Sequence, residues 1–287
     1  MRTSEVNAAR DIGAARESAI KAADRAGVQI RELRQPGEMA VAVRMLTSIW
    51  KRETGGTLID PGMMTAMAHT GNYVAAAYRD EQIMGVCVGF FAAPLGKALH
   101  SHIAGVDPSC ADRGVGSALK QHQRAWCLER GLTQIQWTFD PLIARNAYLN
   151  IHRLGARPTA YLVDFYGAMD DGFNTGQPSD RMMLHWALSE RDEPPLTGAV
   201  GRQPVLVLAE DSLALPREQL DHLTGGLEEA RQCHVKIPSD IALMRETDAP
   251  LALRWRESLR RVLGTLMAEE WQITDFDRTG FYVLERK

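Results

Sequence analysis

Residues 105–119 read GVDPSCADRGVGSAL and lie between a segment typical of a strand and a segment typical of a helix. Gly114 and Gly116 fall where the helix is expected to begin. The first turn of a helix has N–H groups without intrahelical acceptors and the positive end of the helix dipole, and glycine leaves an approaching anion unobstructed there. The stretch therefore predicts a phosphate or pyrophosphate site, with a plain strand-to-helix turn that binds nothing as the alternative.

Two better-known phosphate motifs do not fit this stretch. A P-loop needs Gly-x4-Gly-Lys-Ser/Thr, and that spacing is absent. A dinucleotide fingerprint needs a third glycine, and the chain has Leu119 near that position. The paired glycines therefore indicate another kind of phosphate-binding turn.

Outward from this turn, the hydrophobic pattern predicts strands interspersed with helices. Helices are predicted at 4–26, 37–52, 114–130 and 145–154, and another from Pro61 with Asp60 as its N-cap. Strands are predicted at 28–33, 73–78, 82–92, 98–106, 132–139, 159–167 and 181–188. The predicted fold class is α/β, more strictly α+β: a mixed, mostly antiparallel sheet with helices on both faces.

The domain organisation follows from composition. Residues 1–27 form an Ala-rich helical arm, either docked or loose, and residues 28–188 form the main domain. Residues 189–204, SERDEPPLTGAVGRQP, have the Pro, Gly and polar content of a linker. Residues 205–287 form a smaller α+β extension, with strands at 205–210 and 233–238, a helix near 248–268, and the final strands WQITDF and FYVLER.

Composition restricts the class of function. The 287 residues include 33 Lys+Arg and 36 Asp+Glu, a formal net charge of −3, which offers no basic excess for nucleic acid. The longest apolar stretch, 83–96, is shorter than the roughly 20 residues of a membrane span. The four cysteines have no CxxC spacing. We therefore expect a cytoplasmic protein with reduced thiols and neither a nucleic-acid nor a membrane partner.

Residues Val106 to Gly116 resemble the signature of the GNAT acetyltransferase superfamily, Val-x-Pro-x-x-(Arg/Gln)-x-x-Gly-x-(Gly/Ala). Every fixed position matches except Ala111. The element order over 28–188 and the later RNAYLNIHRLGA are also similar to the family, and the C-terminal third resembles a two-part branch of it. The resemblance implies an N-acyltransferase that transfers an acyl group from acyl-CoA to the amine of a small molecule by direct attack. Acetyl-CoA is the donor that the resemblance favours, and no metal is expected.

The resemblance also implies which residues hold the donor. The pantetheine arm would lie along Ala104 to Val106, where a backbone N–H polarises the thioester carbonyl. Asn146 and Asn150 lie four apart on the later helix and are placed to hydrogen-bond ligand or backbone, and we group Asn146 with the donor contacts. The amides expected on the pyrophosphate are those of Arg113, Gly114, Val115, Gly116, Ser117 and Ala118.

The catalytic candidates are His102, Asp140 and Tyr148. His102 and His100 share a strand face, so His102 is a candidate base and His100 a candidate acceptor contact. Asp140 ends a strand and is the other candidate base, with a turn cap as its alternative. Ile151 stands where the family often has a tyrosine acid, and Tyr148 lies three residues earlier on the same helix face. For all of them, ordinary packing or a satisfied polar surface is the alternative.

The acceptor pocket and the partners are less determined. Asp164 and Tyr166 are predicted to share a strand face and to line the acceptor pocket, with a solvated sheet face as the alternative. Ala111 removes a side chain from the phosphate side, which leaves open a phosphopantetheinyl acyl carrier protein as donor. Ala111 and Ile151 together also leave open a non-catalytic acyl-CoA-binding protein, and a structural scaffold is a third alternative. A homodimer is left open.

Overall fold

The computed structural model describes residues 2–50, 57–167, 177–189, 205–208, 227 and 230–286. The predicted linker at 189–204 lies outside these residues except for Ser189. Of the helices in the described part of the chain, none combines the length and hydropathy needed to cross a bilayer.

The described elements follow the predicted order closely. The helices are α1 (Arg2–Ala26), α2 (Pro36–Trp50), α3 (Pro61–His69), α4 (Val115–Glu129), α5 (Ala144–Ala147), α6 (Ile241–Thr247) and α7 (Ala249–Ala268). The first strands are β1 (Gln29–Glu32), β2 (Tyr73–Arg79), β3 (Gln82–Ala92), β4 (Ala98–Val106), β5 (Gln134–Phe139), β6 (Arg157–Leu162) and β7 (Arg181–Ala187). The last strands are β8 (Val205–Leu208), β9 (Gln232–Lys236), β10 (Trp271–Phe276) and β11 (Phe281–Arg286).

The strands form two sheets. The seven-stranded sheet has the order β1-β2-β3-β4-β5-β7-β6, with antiparallel β1–β2, β2–β3, β3–β4 and β6–β7 pairs and a parallel β4–β5 pair. The four-stranded sheet has the order β10-β11-β9-β8. The predicted fold class, a mostly antiparallel sheet with helices and a smaller C-terminal α+β region, is confirmed.

By its internal contacts the described chain divides into two compact units. The first contains residues up to Trp137 together with 186–189, and the second contains 138–167, 177–185, 205–208 and the C-terminal elements. This division differs from the expected one, because β6 and most of β7 group with the C-terminal residues. Ion pairs described below give that grouping its physical basis.

The core of the first unit is apolar, and the N-terminal helix docks onto it. Leu46 on α2, Met64 on α3 and Val88 on β3 are among the buried side chains that pack together. Helix α1 contacts α4 through Ala15, Ala19 and Ala125. Since these alanines bury little area, the Arg16–Glu129 ion pair at 2.6 Å adds a polar contact to the packing. The N-terminal segment is therefore docked.

The strand predicted at 159–167 is shorter than expected. Strand β6 ends at Leu162, and residues 163–166 form a turn in which Asp164 has φ +46°. The Asp164 carboxylate accepts the Ser179 N–H at 2.9 Å and the Ser179 hydroxyl at 3.2 Å. A short acidic side chain that bonds to nearby backbone in this way competes with the strand ladder. The prediction that Asp164 and Tyr166 share a strand face is wrong.

The helix predicted at 145–154 is also modified. Four α-helical residues of α5 are followed by a π-helical segment, Tyr148–Arg153, in which the Leu154 N–H donates to the Leu149 carbonyl. A π-helical turn holds more residues than an α-turn, so residues three apart no longer face the same side. The argument that placed Tyr148 on the face of Ile151 is therefore wrong, although both residues are on this segment.

Candidate functional site

The β4 and β5 strands of the first unit separate after a short stretch of pairing. Ala98, Leu99 and His100 pair with residues 134–136 of β5, and the register within the described residues goes no further. On its other edge β4 remains paired with β3 as far as Val106. From Ser101 onward β4 therefore has an open edge toward β5, and we call this feature the β4–β5 split.

A β-bulge occurs on β4 where the split begins. Val88 pairs with Ile103 and Gly89 pairs with Ser101, so His102 is the extra residue without a partner on β3. A bulge bends its strand and redirects the side chain at that position. The exposed His102 ring lies 6.0 Å from the His100 ring, centroid to centroid, as their spacing predicts.

The two imidazoles lie against Phe90 on the neighbouring strand. The Phe90 ring centroid is 5.0 Å from that of His100 and 5.7 Å from that of His102. Burial, and then the charges of His102 and Lys120, lower the pKa of His100 to about 4. Partial desolvation by neighbouring atoms also lowers the pKa of His102 below 6.5. Both rings are therefore neutral at pH 7 and each can accept a proton.

The turn between β4 and α4 is shaped by its own side chains. The Asp107 carboxylate accepts the Ser109 N–H at 2.8 Å and begins a short 3-10 helix, Pro108–Cys110. Asp112 and Gly114 then adopt positive φ values of 60° and 82°. Left-handed backbone at these two positions turns the chain sharply into α4, and glycine adopts it without a steric cost.

The N-terminus of α4 has no side-chain cap. Gly114 is exposed, Gly116 and Ser117 are half-buried, and only Val115 is buried in this turn. First-turn amides have no intrahelical acceptor by position, so a ligand or water must satisfy them. The turn therefore presents N–H groups and the positive helix end at an accessible place, which suits an anion.

The set of free amides is smaller than the sequence suggested. The Ala118 N–H donates to the Gly114 carbonyl at 2.9 Å, and the Arg113 N–H donates to the Cys110 carbonyl at 3.3 Å. Because these two amides already have acceptors, we expect the backbone contacts with a pyrophosphate to come mainly from Gly114 to Ser117, and the contacts of Arg113 and Ala118 stay a prediction. The Arg113 side chain is exposed and accessible for such a contact.

Sequence reasoning missed a polar group behind the split. The Lys120 side chain on α4 is almost fully buried, and its Nζ donates to the Ser101 hydroxyl at 2.7 Å. The same Nζ lies 4.1 Å from the centroid of the Trp137 ring on β5. Burial lowers the pKa of Lys120. The available signal was a lysine in the apolar helical pattern of α4, next to Leu119.

The other predicted site residues belong to the second unit, where Asp140 is part of an ion-pair network. Arg256 Nη1 and Nη2 donate to its two carboxylate oxygens at 2.7 Å each, and Arg245 Nη2 donates to Oδ2 at 2.7 Å. Burial alone would raise the pKa of Asp140, but the two guanidinium groups outweigh it and hold that pKa well below its usual range. A carboxylate held in this way is a very weak base, so the geometry favours a structural role over the base role expected for Asp140.

A second buried carboxylate in this unit has similar partners. Arg260 Nε and Nη2 donate to the two oxygens of Asp180 at 2.9 and 2.8 Å. The Tyr161 hydroxyl donates to Asp180 Oδ2 at 2.9 Å. Arg256 and Arg260 both lie on α7, so this C-terminal helix neutralises acidic residues that precede the predicted linker.

The remaining candidates of the second unit have the following contacts. The Tyr148 hydroxyl accepts from Arg278 Nε at 2.9 Å, and its ring stacks on His152 at 4.7 Å. The Tyr166 hydroxyl lies 3.1 Å from the Thr138 hydroxyl. Asn146 is half-buried on α5. The Tyr148 O–H remains available to donate a proton, whereas Asp164 is occupied by its turn.

No cluster of three or more His, Cys, Asp or Glu side chains suited to a metal ion occurs in the described ranges. The four cysteines are free thiols, and all are buried.

Comparison with known proteins relates the part of the chain that contains this site to one family. Residues 42–153 match the family model described as acetyltransferase (GNAT) family, a range that contains the β4–β5 split, the turn and α4. Residues 42–153 are therefore similar to a GNAT acetyltransferase domain, and this match supports a transferase. The match ends before β6 and so does not cover the C-terminal elements. A comparison with curated proteins gave no match.

Solved acetyltransferase structures are similar to part of the chain. The Salmonella typhimurium protein yncA, solved with acetyl-CoA, has a TM-score of 0.47 and 15% identity over 58% of this chain and 98% of its own. The ribosomal-protein-S18-alanine N-acetyltransferase of Escherichia coli has a TM-score of 0.45 and 14% identity over 58% and 97%. An aminoglycoside 6′-acetyltransferase type Ii has a TM-score of 0.46 and 15% identity over 57% and 99%. None of these comparisons supports a carrier-protein partner or a homodimer.

Proposed function

We propose that this protein is an N-acyltransferase that transfers an acyl group from a CoA thioester to the amine of a small molecule by direct attack. The observation that carries the proposal is the open β4 edge that leads directly into an uncapped helix start at Gly114 and Gly116. Such a pair of features can hold an extended thioester arm and a diphosphate at the same time.

The diphosphate contacts follow from the free amides. The N–H groups of Gly114 to Ser117 and the Arg113 guanidinium provide directional donors and positive charge for phosphate oxygens. The pantetheine arm contains amide groups, so it can pair with the open edge at Ala104 to Val106 as an added strand does. In this arrangement the thioester end points toward Ser101 and the split.

The transfer step needs a neutral amine and a way to remove one proton. The amine nitrogen forms a bond to the thioester carbon while the carbon–sulfur bond breaks, and CoA leaves as a thiolate that takes up a proton. His102 is neutral, exposed and next to the split, so we assign it the proton released by the amine. A thiol has a pKa near 8.5, so protonation of the leaving group needs little help.

The experiment that tests the donor site is a Gly116→Glu substitution. Gly116 has no positive φ, so glutamate is tolerated by the backbone, and a carboxylate near a helix N-terminus is favourable for the fold. The same carboxylate repels the diphosphate. We expect acetyl-CoA binding, measured by calorimetry, to weaken at least about a hundredfold while the melting temperature stays close to that of the unmodified protein.

The matched control is Gly13→Glu on α1, where no atom lies within 4 Å of an added Cβ. It adds the same charge away from the turn and should leave the affinity unchanged. Equal acetyl-CoA affinity in the Gly116 and Gly13 variants would refute the proposed donor site. A thioester on a phosphopantetheinyl carrier protein is tested as a second donor. Preference for it over acetyl-CoA would refute free acyl-CoA as the donor.

A further inference from the structure

The surroundings of Lys120 bear on which acyl group is transferred, and their use for this purpose rests on the proposed function. Its Nζ lies between Ser101 on β4 and Trp137 on β5, the first residues after the last β4–β5 pair. Lys120 is 5% exposed, and no carboxylate of the described chain lies within ion-pair distance of its Nζ. The thiols of Cys87 and Cys127 also act on its charge, but burial raises the pKa of both thiols, so the ammonium group has no charged counter-ion among them.

A second buried polar group lies one helical turn further along α4. Gln123 is 0% exposed, the buried Cys87 thiol is a polar neighbour of its side chain, and neither its amide nitrogen nor its amide oxygen makes a hydrogen bond of ordinary geometry in the described chain. A Cβ added to Gly89 would lie 3.1 Å from Gln123 Nε2, so Gln123 stands over Gly89. Gly89 is the register partner of Ser101, to which Lys120 donates. Lys120 and Gln123 therefore cover adjacent positions of the sheet beside the split.

Two such groups are costly in a protein interior. A buried amide without partners loses its hydrogen bonds to water, and a buried cation without an anion is unfavourable. Burial accordingly lowers the pKa of Lys120. A carboxylate would satisfy the two donors at once, because its oxygens can accept from the Lys120 ammonium group and from the Gln123 amide N–H.

The location of Lys120 and Gln123 indicates which molecule provides the carboxylate. A donor whose diphosphate lies at Gly114 to Ser117 and whose arm follows β4 toward Ser101 brings its acyl end to the split. We propose that Lys120 and Gln123 select acyl groups with a terminal carboxylate, so that the donor is a short dicarboxylic acyl thioester such as succinyl-CoA or malonyl-CoA. The carboxylate accepts from Lys120 Nζ and Gln123 Nε2, and the thioester carbon stays at the open edge of β4.

The test compares the dissociation constants of succinyl-CoA, malonyl-CoA and acetyl-CoA for the whole chain by calorimetry. Hydrogen bonds to a charged group predict that one of the two dicarboxylic thioesters binds about tenfold to a hundredfold more tightly than acetyl-CoA. Lys120→Met removes the charge at similar size and should reduce this ratio to near one. Gln123→Met tests the amide independently and should reduce the ratio in part.

The matched control is Lys97→Met, since Lys97 is exposed and has no role in the proposal. It should keep the ratio of the unmodified protein, and melting curves of all variants establish that they are folded. Equal or weaker binding of both dicarboxylic thioesters relative to acetyl-CoA would overturn the inference, as would an unchanged ratio in folded Lys120→Met. If no thioester binds at all, the proposed function itself fails, which is a different result.

Discussion

Arg256 on α7 is the residue whose replacement tests the ion-pair network of the second unit most directly. Its guanidinium makes two bonds of 2.7 Å to the Asp140 carboxylate and is 0% exposed. Arg256→Met leaves Asp140 with its bond from Arg245 at 2.7 Å. Removal of one partner from a buried ion pair costs about 3–5 kcal/mol, and the remaining arginine places the expected loss near 3 kcal/mol. That loss lowers the melting temperature by about 6–12 °C in a chain of this size.

The assay is thermal and urea unfolding of the whole chain. Arg254→Met is the matched control, because Arg254 is exposed on the same helix and its loss should change the free energy of unfolding by less than about 0.5 kcal/mol. The double variant Asp140→Leu/Arg256→Met removes both charges and should recover part of the stability. The reasoning is refuted if Arg256→Met is no more destabilising than Arg254→Met, or if the double variant loses the sum of the two single effects.

Three further predictions concern acid stability, the proton acceptor and the bulge. The pKa of Asp140 is lower in the folded protein than its usual value of 3.8. Its contribution to stability is therefore complete above about pH 4 and is lost as pH falls toward the folded pKa. Asp140→Asn should flatten the dependence of urea midpoints on pH below about 4, and an unchanged slope would contradict the assignment. His102→Asn should lower kcat/KM about a hundredfold and remove an acidic limb that lies below pH 6.5, whereas His69→Asn, on an exposed part of α3, should retain that limb. A Cβ at Gly89 would lie 2.9 Å from a main-chain oxygen of β4, so Gly89→Ala should lower the free energy of unfolding in urea by about 1–3 kcal/mol. Gly13→Ala has no atom within 4 Å of the added Cβ and should raise it by about 0.5–1 kcal/mol. Equal effects of the two alanines would refute the steric argument, because β4 would then move to make room.

Local patterns in the sequence predict much of the first unit. The Asp60 N-cap is confirmed, with the Met63 N–H donating to its carboxylate at 2.9 Å. Gly114 marks the helix start because it adopts left-handed backbone, φ +82°, which glycine accepts without a steric cost. The alternation on β4 likewise places His100 and His102 together. Each of these predictions depends on residues within a few positions of one another.

The residues that decide the second unit are far apart in sequence. Arg256 and Asp140 are 116 positions apart, and Arg260 and Asp180 are 80 apart, so no periodicity relates them. The Asp164 turn escaped prediction for another reason, because the pattern of 159–167 favours a strand until Ser179 provides the competing hydrogen bonds. Side-chain contacts of this kind follow from the tertiary fold, which a single sequence does not display.

The β4–β5 split also affects how the protein avoids unwanted association. Unpaired strand edges at the rim of a sheet are templates on which other chains can pair and aggregate. Here the open edge of β4 lies between two strands of the same sheet, with β3 on one side and β5 beginning on the other. A strand of a second chain would have to enter between two strands that are joined at His100 and Gln136.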